Sequence, residues 1–331
     1  MAPAVVVPDA LRRRYLGTRE GRTWLEELPA RVEAGLSAFG LAVDDDDDGG
    51  GRAWHGHGAL VLPVLTAAGS PAVLKLPFPH PEAATEAPAL QLWDGRGAVR
   101  LLDRDAAGTC LLLERLDPDR TLLDVRLPAA VRIWGALMRT LSLAEDDSPQ
   151  WAGIPALAER AEQLSDELPQ DWEALDRPFE RWLLEAALEV CQTRGAVGRR
   201  SARDVLVHAD LHYANILARP GTVEDYAAID PQAVYGEPEY AVAPMLWNRL
   251  QDLDPQAPEE ALRARLDTLC EAAGLDRKAA VDWSILREVT NALEYVRLGL
   301  HGDAQRSVWV ASALAGRSHP GLPPVRDLPA A

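Results

Sequence analysis

Three oxygen-bearing side chains in the second half of the chain have the types and spacing that phosphoryl transfer requires. Asp210 and Asn215 lie five positions apart in the segment H-A-D-L-H-Y-A-N, and Asp230 follows an apolar run that ends at Ile229. Phosphoryl transfer from ATP needs a carboxylate that accepts the proton of the attacking hydroxyl, and oxygen ligands that hold magnesium against the phosphates. The two aspartates and the asparagine together supply that set.

A lysine in the first third of the chain suits the same chemistry. Only two of the 34 basic residues are lysines, Lys75 and Lys278, so the chain uses arginine almost everywhere that it places a positive charge. A lysine that persists in this background is typical of a position that needs a compact ammonium group. Lys75 lies in the β-rich segment A-V-L-K-L.

The surrounding sequence predicts the elements that position these residues. The first 40 residues read as helical, with Pro29 as a possible interruption, and β-rich segments follow at 59–65, 72–76, 99–103 and 109–116, with a helix at 82–93. Beyond Asp117 amphipathic helices predominate at 129–143, 154–168, 179–193, 258–273 and 279–300. Short strands or tight loops are predicted at 205–208, 215–218 and 226–229. Residues 44–51, acidic and then glycine-rich, are interpreted as a solvated loop, and the tail from residue 320 as poorly ordered.

Composition narrows the class of protein. The 331 residues are 47% hydrophobic and 26% charged, which is typical of a soluble globular chain, and no apolar stretch approaches the roughly 18 residues of a membrane span. A net charge of -17 argues against a nucleic-acid surface and fits a cationic partner better. The three cysteines show no metal-ligand spacing and are predicted to be buried in a reducing compartment. We expect a cytoplasmic protein without membrane or nucleic-acid partners, and its oligomeric state stays open.

Several motifs resemble those of a known family. The block that contains Asp210 and Asn215, followed by I-D-P at Asp230, resembles the H-x-D-x-x-x-x-N loop and metal-binding aspartate of the aminoglycoside phosphotransferases, a branch of the protein-kinase-like superfamily. The stretches G-E-P at 236–238 and L-W-N at 246–248 are similar to the streptomycin 6-kinase and hydroxyurea phosphotransferase subfamily. Ala209 departs from the usual glycine of this family, Ala241 from a frequent aspartate, and no G-x-G-x-x-G loop is present. A Walker A loop is also absent, which excludes the P-loop kinases.

The resemblance implies a fold and a set of roles. The fold would be α+β and bilobal, with a small antiparallel-sheet N-lobe carrying one key helix over residues 1–116 and a larger, mainly helical C-lobe over residues 117–331. Asp210 would be the catalytic base or hydroxyl-positioning group, and the magnesium ligands would be Asn215 and Asp230. Lys75 would orient the ATP phosphates.

Two further groups are implied to bind the nucleotide. The partner of Lys75 would be Glu86, with Glu82 one turn earlier as the reserve, and Glu114 and Leu116 would belong to the hinge whose backbone reads adenine. The implied acceptor is a cationic small molecule such as streptomycin. Other acceptors (hydroxyurea, a peptide antibiotic or a sugar) and a non-catalytic binding protein remain alternatives.

Overall fold

The computed structural model describes residues 7–44, 54–55, 58–199, 203–317, 319 and 321–329. The chain divides into two compact units, of which the first comprises residues 1–120 and 217–232 and the second comprises residues 121–216 and 233–331. The strands are β1 Ala42–Val43, β2 Trp54–His55, β3 Ala59–Leu65, β4 Pro71–Pro77, β5 Leu101–Arg104, β6 Leu111–Glu114, β7 Asp117–Thr121, β8 Val205–Val207, β9 Ile216–Ala218, β10 Tyr226–Ala228 and β11 Val234–Gly236. The α-helices are α1 Asp9–Tyr15, α2 Arg19–Phe39, α3 Glu86–Trp93, α4 Leu127–Leu141, α5 Leu157–Ala174, α6 Arg181–Arg194, α7 Ala243–Trp247, α8 Pro258–Ala273, α9 Arg277–Arg297 and α10 His301–Leu314.

An antiparallel six-stranded sheet forms the centre of the first unit. Its strand order is β1-β3-β4-β6-β5, and β2 also pairs with β3. The β3–β4 hairpin turns at Gly69, whose φ of 77° lies in the left-handed region that glycine adopts without a steric penalty. Its register pairs Val61 with Lys75, and β4 then pairs Lys75 with Leu111 of β6. Lys75 therefore lies on a central strand of the sheet.

Helix α2 covers this sheet with an apolar face. Trp24, Leu28 and Val32 recur at helical spacing and pack into a cluster with buried leucines of β3 and β4. The helix begins at the Thr18 cap, whose hydroxyl accepts from the amide of Gly21 at 3.1 Å. It continues through Pro29, so the interruption considered from the sequence does not occur.

The segment 217–232 belongs to the first unit although it lies far along the chain. Strands β9 and β10 form a three-stranded sheet with β7, in the order β10-β9-β7. Both backbone groups of Ala228 also form hydrogen bonds. Its carbonyl accepts from the Val99 amide at 2.8 Å, and its amide donates to the Gly97 carbonyl at 2.9 Å. This pairing carries the segment that contains Asp230 into the first unit, whereas the sequence analysis had grouped it with residues 117–331.

The second unit is mainly helical. Helices α4 and α8 approach closely at Gly135, where an added Cβ would lie 2.6 Å from the carbonyl oxygen of Ala272. Strands β8 and β11 pair in a small antiparallel sheet. Strand β8 ends just before the H-A-D-L-H-Y-A-N segment, and β11 ends at Gly236, the first residue of the G-E-P segment. No helix within the described residues is long and apolar enough to cross a membrane.

The three cysteines are buried and form no disulfide, as the sequence predicted. They are Cys110 of the first unit and Cys191 and Cys270 of the second. Burial raises the pKa of each thiol to about 12. The thiols are therefore protonated and unreactive at neutral pH.

The predictions for the 44–51 loop and for the tail from residue 320 are compared with the structure where their residues are described. Asp44, interpreted as the start of a solvated loop, is buried, and its carboxylate accepts from Nη2 of Arg115 at 2.7 Å. The rest of that acidic and glycine-rich run lies outside the described residues. Within the tail, Val325–Asp327 forms a 3-10 turn, and residues 320, 330 and 331 are not described.

Candidate active site

Lys75 is held between two carboxylates of the first unit. Its Nζ lies 2.6 Å from Oε1 of Glu86 at the start of α3 and 2.6 Å from Oδ1 of Asp230. The side chains of Lys75 and Glu86 are 7% and 3% exposed. The reserve candidate Glu82 lies apart from this cluster, with its carboxylate 3.7 Å from His80 and 63% exposed.

The two carboxylates keep the lysine charged. Burial alone lowers the pKa of Lys75, but the negative charges of Asp230 and Glu86 outweigh it, and the net pKa lies above its ordinary value. An ammonium group has three donors, and these carboxylates use two of them. Within the described residues, the third N–H of Lys75 has no side-chain acceptor among these two carboxylates and could donate to a further acceptor.

Asp230 adopts an unusual backbone conformation. Its φ of 58° is left-handed, which costs a non-glycine residue about 1 to 2 kcal/mol. Its side chain is 41% exposed although one oxygen contacts Lys75. Such strain at an accessible carboxylate is typical of functional sites.

Glu114 and Leu116 lie at the end of β6, where the sequence analysis placed the hinge. The carboxylate of Glu114 accepts from the Arg100 amide at 2.8 Å and from Nη2 of Arg219 at 3.0 Å. Arg115, between them, binds Asp44 and the carbonyl of Val64. These side chains are therefore held by contacts within the first unit, and the role of this segment as an adenine-binding hinge stays a prediction.

The second unit carries Asp210 and Asn215 on one tight loop. Nδ2 of Asn215 donates to the backbone oxygen of Asp210 at 3.0 Å and to its Oδ2 at 3.3 Å. The amide group of Asn215 thus fixes the Asp210 carboxylate, and these bonds do not use the side-chain oxygen of Asn215, which is the atom predicted to bind a cation. The Asp210 side chain is 19% exposed.

Neighbouring groups of the second unit hold the backbone of this loop. Ala209 has a left-handed φ of 44°, and the amide of Asp210 donates to the carbonyl of His208. The buried indole of Trp134 donates to the carbonyl of Leu211 at 3.2 Å. His208 is itself 1% exposed.

Arg287 also meets this loop, and the sequence analysis did not single it out. Its Nη1 donates to the carbonyl of Ala209, and its Nη2 lies 4.0 Å from Oδ1 of Asp210. It is one arginine on a long helix of an arginine-rich chain, 77 positions beyond Asp210. No local pattern distinguishes it, so only the fold reveals the contact.

Two acids of the G-E-P-E-Y segment are held by the protein rather than presented at its surface. Glu237 accepts from Nη1 of Arg194 at 2.9 Å and from the indole of Trp283 at 2.7 Å. Glu239 is 1% exposed and accepts from the Asp276 amide at 2.9 Å. Both acids therefore join interior hydrogen bonds.

The donors available for a divalent cation are oxygens. Asn215 offers an amide oxygen and Asp230 an exposed carboxylate, and magnesium prefers such hard ligands. Within the described part of the chain, no three His, Cys, Asp or Glu side chains cluster as an all-protein metal site. Asn215 lies in the second unit and Asp230 in the first, and each offers an oxygen of the kind that Mg²⁺ binds together with waters and substrate phosphates.

Comparison with known proteins gives relatives over nearly the whole chain. A family model described as aminoglycoside/hydroxyurea antibiotic resistance kinase matches residues 48–299. Streptomycin 6-kinase of Streptomyces glaucescens is 36% identical over 94% of this chain and 98% of its own length. Hydroxyurea phosphotransferase of Kitasatospora aureofaciens is 38% identical over 96% of this chain and 86% of its own length.

Solved structures give the same fold at low sequence identity. A thermostable mutant of aminoglycoside phosphotransferase APH(4)-Ia, in a ternary complex with ADP and hygromycin B, has a TM-score of 0.56 at 15% identity, over 86% of this chain and 96% of that one. Plasmodium vivax ethanolamine kinase has a TM-score of 0.55 at 13% identity, over 80% of this chain and 81% of that one. These likenesses confirm the predicted kinase-like α+β fold.

Proposed function

The chain belongs to the aminoglycoside/hydroxyurea antibiotic resistance kinase family, and we propose that it transfers the γ-phosphoryl group of ATP to a hydroxyl of a cationic aminoglycoside such as streptomycin. The observation that carries this proposal is the Lys75 ammonium, 2.6 Å from both Glu86 and Asp230, which lies 155 positions away. A buried ammonium between two carboxylates, one of them accessible, suits the binding of phosphate and magnesium together.

Asp210 is the catalytic residue. Its carboxylate accepts the proton of the acceptor hydroxyl, the acceptor oxygen forms a bond to the γ-phosphorus, and ADP leaves as the bond to the bridging oxygen breaks. The amide of Asn215 holds this carboxylate from behind. Orientation and fixed charge supply most of the catalysis in such a reaction.

The remaining predicted residues bind the nucleotide. Lys75, oriented by Glu86, donates to the ATP phosphates, and the backbone groups of Glu114 and Leu116 bind the adenine. Asn215 and Asp230 would hold magnesium, which would supply positive charge to the phosphate oxygens. Because ATP is the donor, we also propose a cytoplasmic location.

The relatives favour two acceptors of different charge. Streptomycin is cationic and hydroxyurea is neutral, and relatives named for each are similarly close to this chain. The net charge of -17 favours the cationic acceptor, because an acidic protein concentrates cations near its surface. Hydroxyurea is therefore the second candidate.

A coupled assay of ADP release tests the proposal. Purified protein with ATP and Mg²⁺ is given streptomycin, other aminoglycosides, hydroxyurea and simple sugars in turn. We expect streptomycin to stimulate ADP release, and Asp210→Ala to abolish the stimulation. Asp267→Ala, which removes an exposed carboxylate of the same unit, is the matched control and keeps full activity.

The possible outcomes separate the alternatives. Stimulation by hydroxyurea alone would replace the acceptor and keep the reaction. Normal transfer by Asp210→Ala would remove the assigned base. Absence of magnesium-dependent ATP binding would favour the non-catalytic alternative.

A further inference from the structure

Arg287 of α9 is fixed in place by two aromatic rings. Its guanidinium carbon lies 4.8 Å from the ring centre of Tyr240 and 5.1 Å from that of Trp247. A guanidinium is planar and stacks on aromatic faces, which restricts its orientation as well as its position. The side chain is only 10% exposed. Arg287 therefore presents its N–H groups in a defined direction.

That direction is toward the loop that carries Asp210. Nη1 donates to the carbonyl of Ala209, and Nη2 lies 4.0 Å from Oδ1 of Asp210, too far for a direct hydrogen bond. One side chain thus holds the peptide before Asp210 and places positive charge beside its carboxylate. Asn215 fixes the same carboxylate by its amide group.

The peptide that Arg287 holds is strained. Ala209 has a φ of 44°, a left-handed conformation that is unfavourable for an L-residue with a Cβ. Ala209 is buried, so neighbouring residues also pack around its backbone. A hydrogen bond from a charged donor is stronger than one between neutral groups, so the bond from Arg287 offsets that strain.

We propose that Arg287 is a positioning residue for phosphoryl transfer, which holds the Ala209 peptide in its left-handed conformation and thereby aims the Asp210 carboxylate at the acceptor hydroxyl. This inference rests on the proposed function and adds a residue to it. The simpler interpretation is that Arg287 only ties α9 to α7 and to the 238–242 turn. The two interpretations differ in what Arg287 variants do to turnover and to the loop.

Kinetics of three variants separate these interpretations. Arg287→Met keeps the length and apolar stem but loses the charge and donors, and we expect kcat to fall about a hundredfold, with the KM for ATP within about threefold. Arg287→Lys keeps a charged donor, so its kcat should be about tenfold higher than that of Arg287→Met. Arg263→Met is the matched control, because Arg263 likewise binds a backbone carbonyl of this unit, that of Ala313, away from the loop. It should keep wild-type kcat.

A second substitution tests the mechanism itself. Glycine adopts a left-handed φ without the Cβ penalty, so Ala209→Gly should reduce the dependence on Arg287. We expect Ala209→Gly alone to stay within about threefold of wild-type kcat, and the double variant with Arg287→Met to exceed the single Arg287→Met about fivefold or more. A purely structural role for Arg287 would show no such rescue.

Hydrogen exchange of the loop amides provides a readout that needs no acceptor. Faster exchange across residues 207–217 in Arg287→Met than in Arg263→Met, at matched thermal stability, supports the proposal even where no tested acceptor is phosphorylated. Unchanged exchange, a kcat loss no larger than that of Arg263→Met, or absence of rescue by Ala209→Gly would overturn it. Absence of wild-type activity on every acceptor would instead count against the proposed function.

Discussion

The ion pair of Lys75 and Glu86 combines nearly complete burial with a distance of 2.6 Å. Glu86→Gln preserves the size of the side chain and removes its charge, so the ammonium keeps only Asp230 as a charged partner. We expect kcat/KM for ATP to fall about tenfold to a hundredfold, which corresponds to about 1.4 to 2.8 kcal/mol of transition-state stabilisation. Steady-state kinetics with varied ATP at saturating acceptor measure this loss.

Glu82→Gln is the control for that measurement. Glu82 is also an acid near the start of α3, but its carboxylate is mostly exposed and lies beside His80. It should leave kcat/KM for ATP unchanged. Equal effects of the two variants would show that general negative charge, rather than the pair with Lys75, matters.

Glu288, beside Arg287 on α9, links stability to pH. Within the described residues neither of its carboxylate oxygens has a hydrogen-bond partner of good geometry, and the side chain is fully buried. Burial raises the pKa of Glu288 from its ordinary 4.5 to about 8, and Ser307, Arg306 and Arg287 only partly oppose this. The folded state therefore keeps a proton that the unfolded chain releases above pH 4.5.

The sign of the pH dependence follows from that difference. Below pH 4.5 both states hold the proton, and between pH 4.5 and 8 only the folded state does, so this group makes the free energy of unfolding fall as pH rises. The slope approaches about 1.4 kcal/mol per pH unit. We expect Glu288→Gln to remove this contribution, with the gain over wild type larger at pH 8 than at pH 5.5.

Urea denaturation of both proteins at pH 5.5, 6.5, 7.5 and 8.5 measures that gain. A stability difference that is independent of pH would show that Glu288 is ionised in the folded protein. Glu294→Gln on the same helix, where the carboxylate is about half exposed, serves as the control for loss of a charge.

At the scale of helices, the contact of α4 with α8 depends on the absence of a side chain at Gly135. Alanine normally stabilises a helix interior relative to glycine by about 0.5 to 1 kcal/mol. Here a Cβ would lie 2.6 Å from the carbonyl oxygen and 2.7 Å from the Cβ of Ala272, so the helices would have to separate. We expect Gly135→Ala to destabilise the protein by about 1 to 3 kcal/mol despite the higher helix propensity of alanine.

Thermal unfolding of Gly135→Ala and Gly17→Ala compares a crowded with an open position. An added Cβ at Gly17 meets no atom within 4 Å, and its φ is not left-handed. We expect the midpoint to fall only for Gly135→Ala. A rise at position 135 would mean that propensity outweighs the close approach of the two helices.

Local sequence patterns predicted the elements whose faces differ in polarity. The segment at 258–273 matches α8, because the helical spacing of its apolar residues is clear, and the continuous apolar run at 59–65 matches β3. Helix α10 was not recognised. Nine consecutive residues, 306–314, are buried, so its sequence lacks the polar face that reveals an amphipathic helix.

Contacts between distant parts of the chain explain what the sequence left undetermined about the site. The lysine segment and the aspartate segment each stand out alone, but the hydrogen bond of Lys75 to Asp230 joins residues 155 positions apart. It depends on the pairing of β9 with β7 and of Ala228 with residues 97–99. The contact of Arg287 with Ala209 likewise depends on where α9 packs. Neither has a local signal, whereas the spacing of Asp210 and Asn215 does, because one tight loop contains both.

At the scale of the whole molecule, the division of the chain into units also depends on contacts that local sequence does not reveal. A boundary at residue 116 follows from the change between strand-rich and helix-rich sequence, and the compact units change at residue 120. Residues 217–232 join the first unit through β9 and β10. Their position along the chain would instead place them in the second unit. Membership of a unit is decided by hydrogen-bonding partners, and short strands give little sign of theirs.

The net charge of -17 makes a prediction that belongs to the whole molecule. An acidic surface raises the local concentration of a cationic acceptor, and added salt screens this attraction because the Debye length falls from about 30 Å at 0.01 M to about 8 Å at 0.15 M. We expect kcat/KM for streptomycin to fall several-fold across that range at saturating ATP. Neutral hydroxyurea provides the comparison and should change little, since any effect of salt on ATP binding or on the catalytic step is common to both acceptors. Equal salt dependence for the two would show that the acidic surface plays no part in capturing the acceptor, and the choice between them would then rest on contacts within the site.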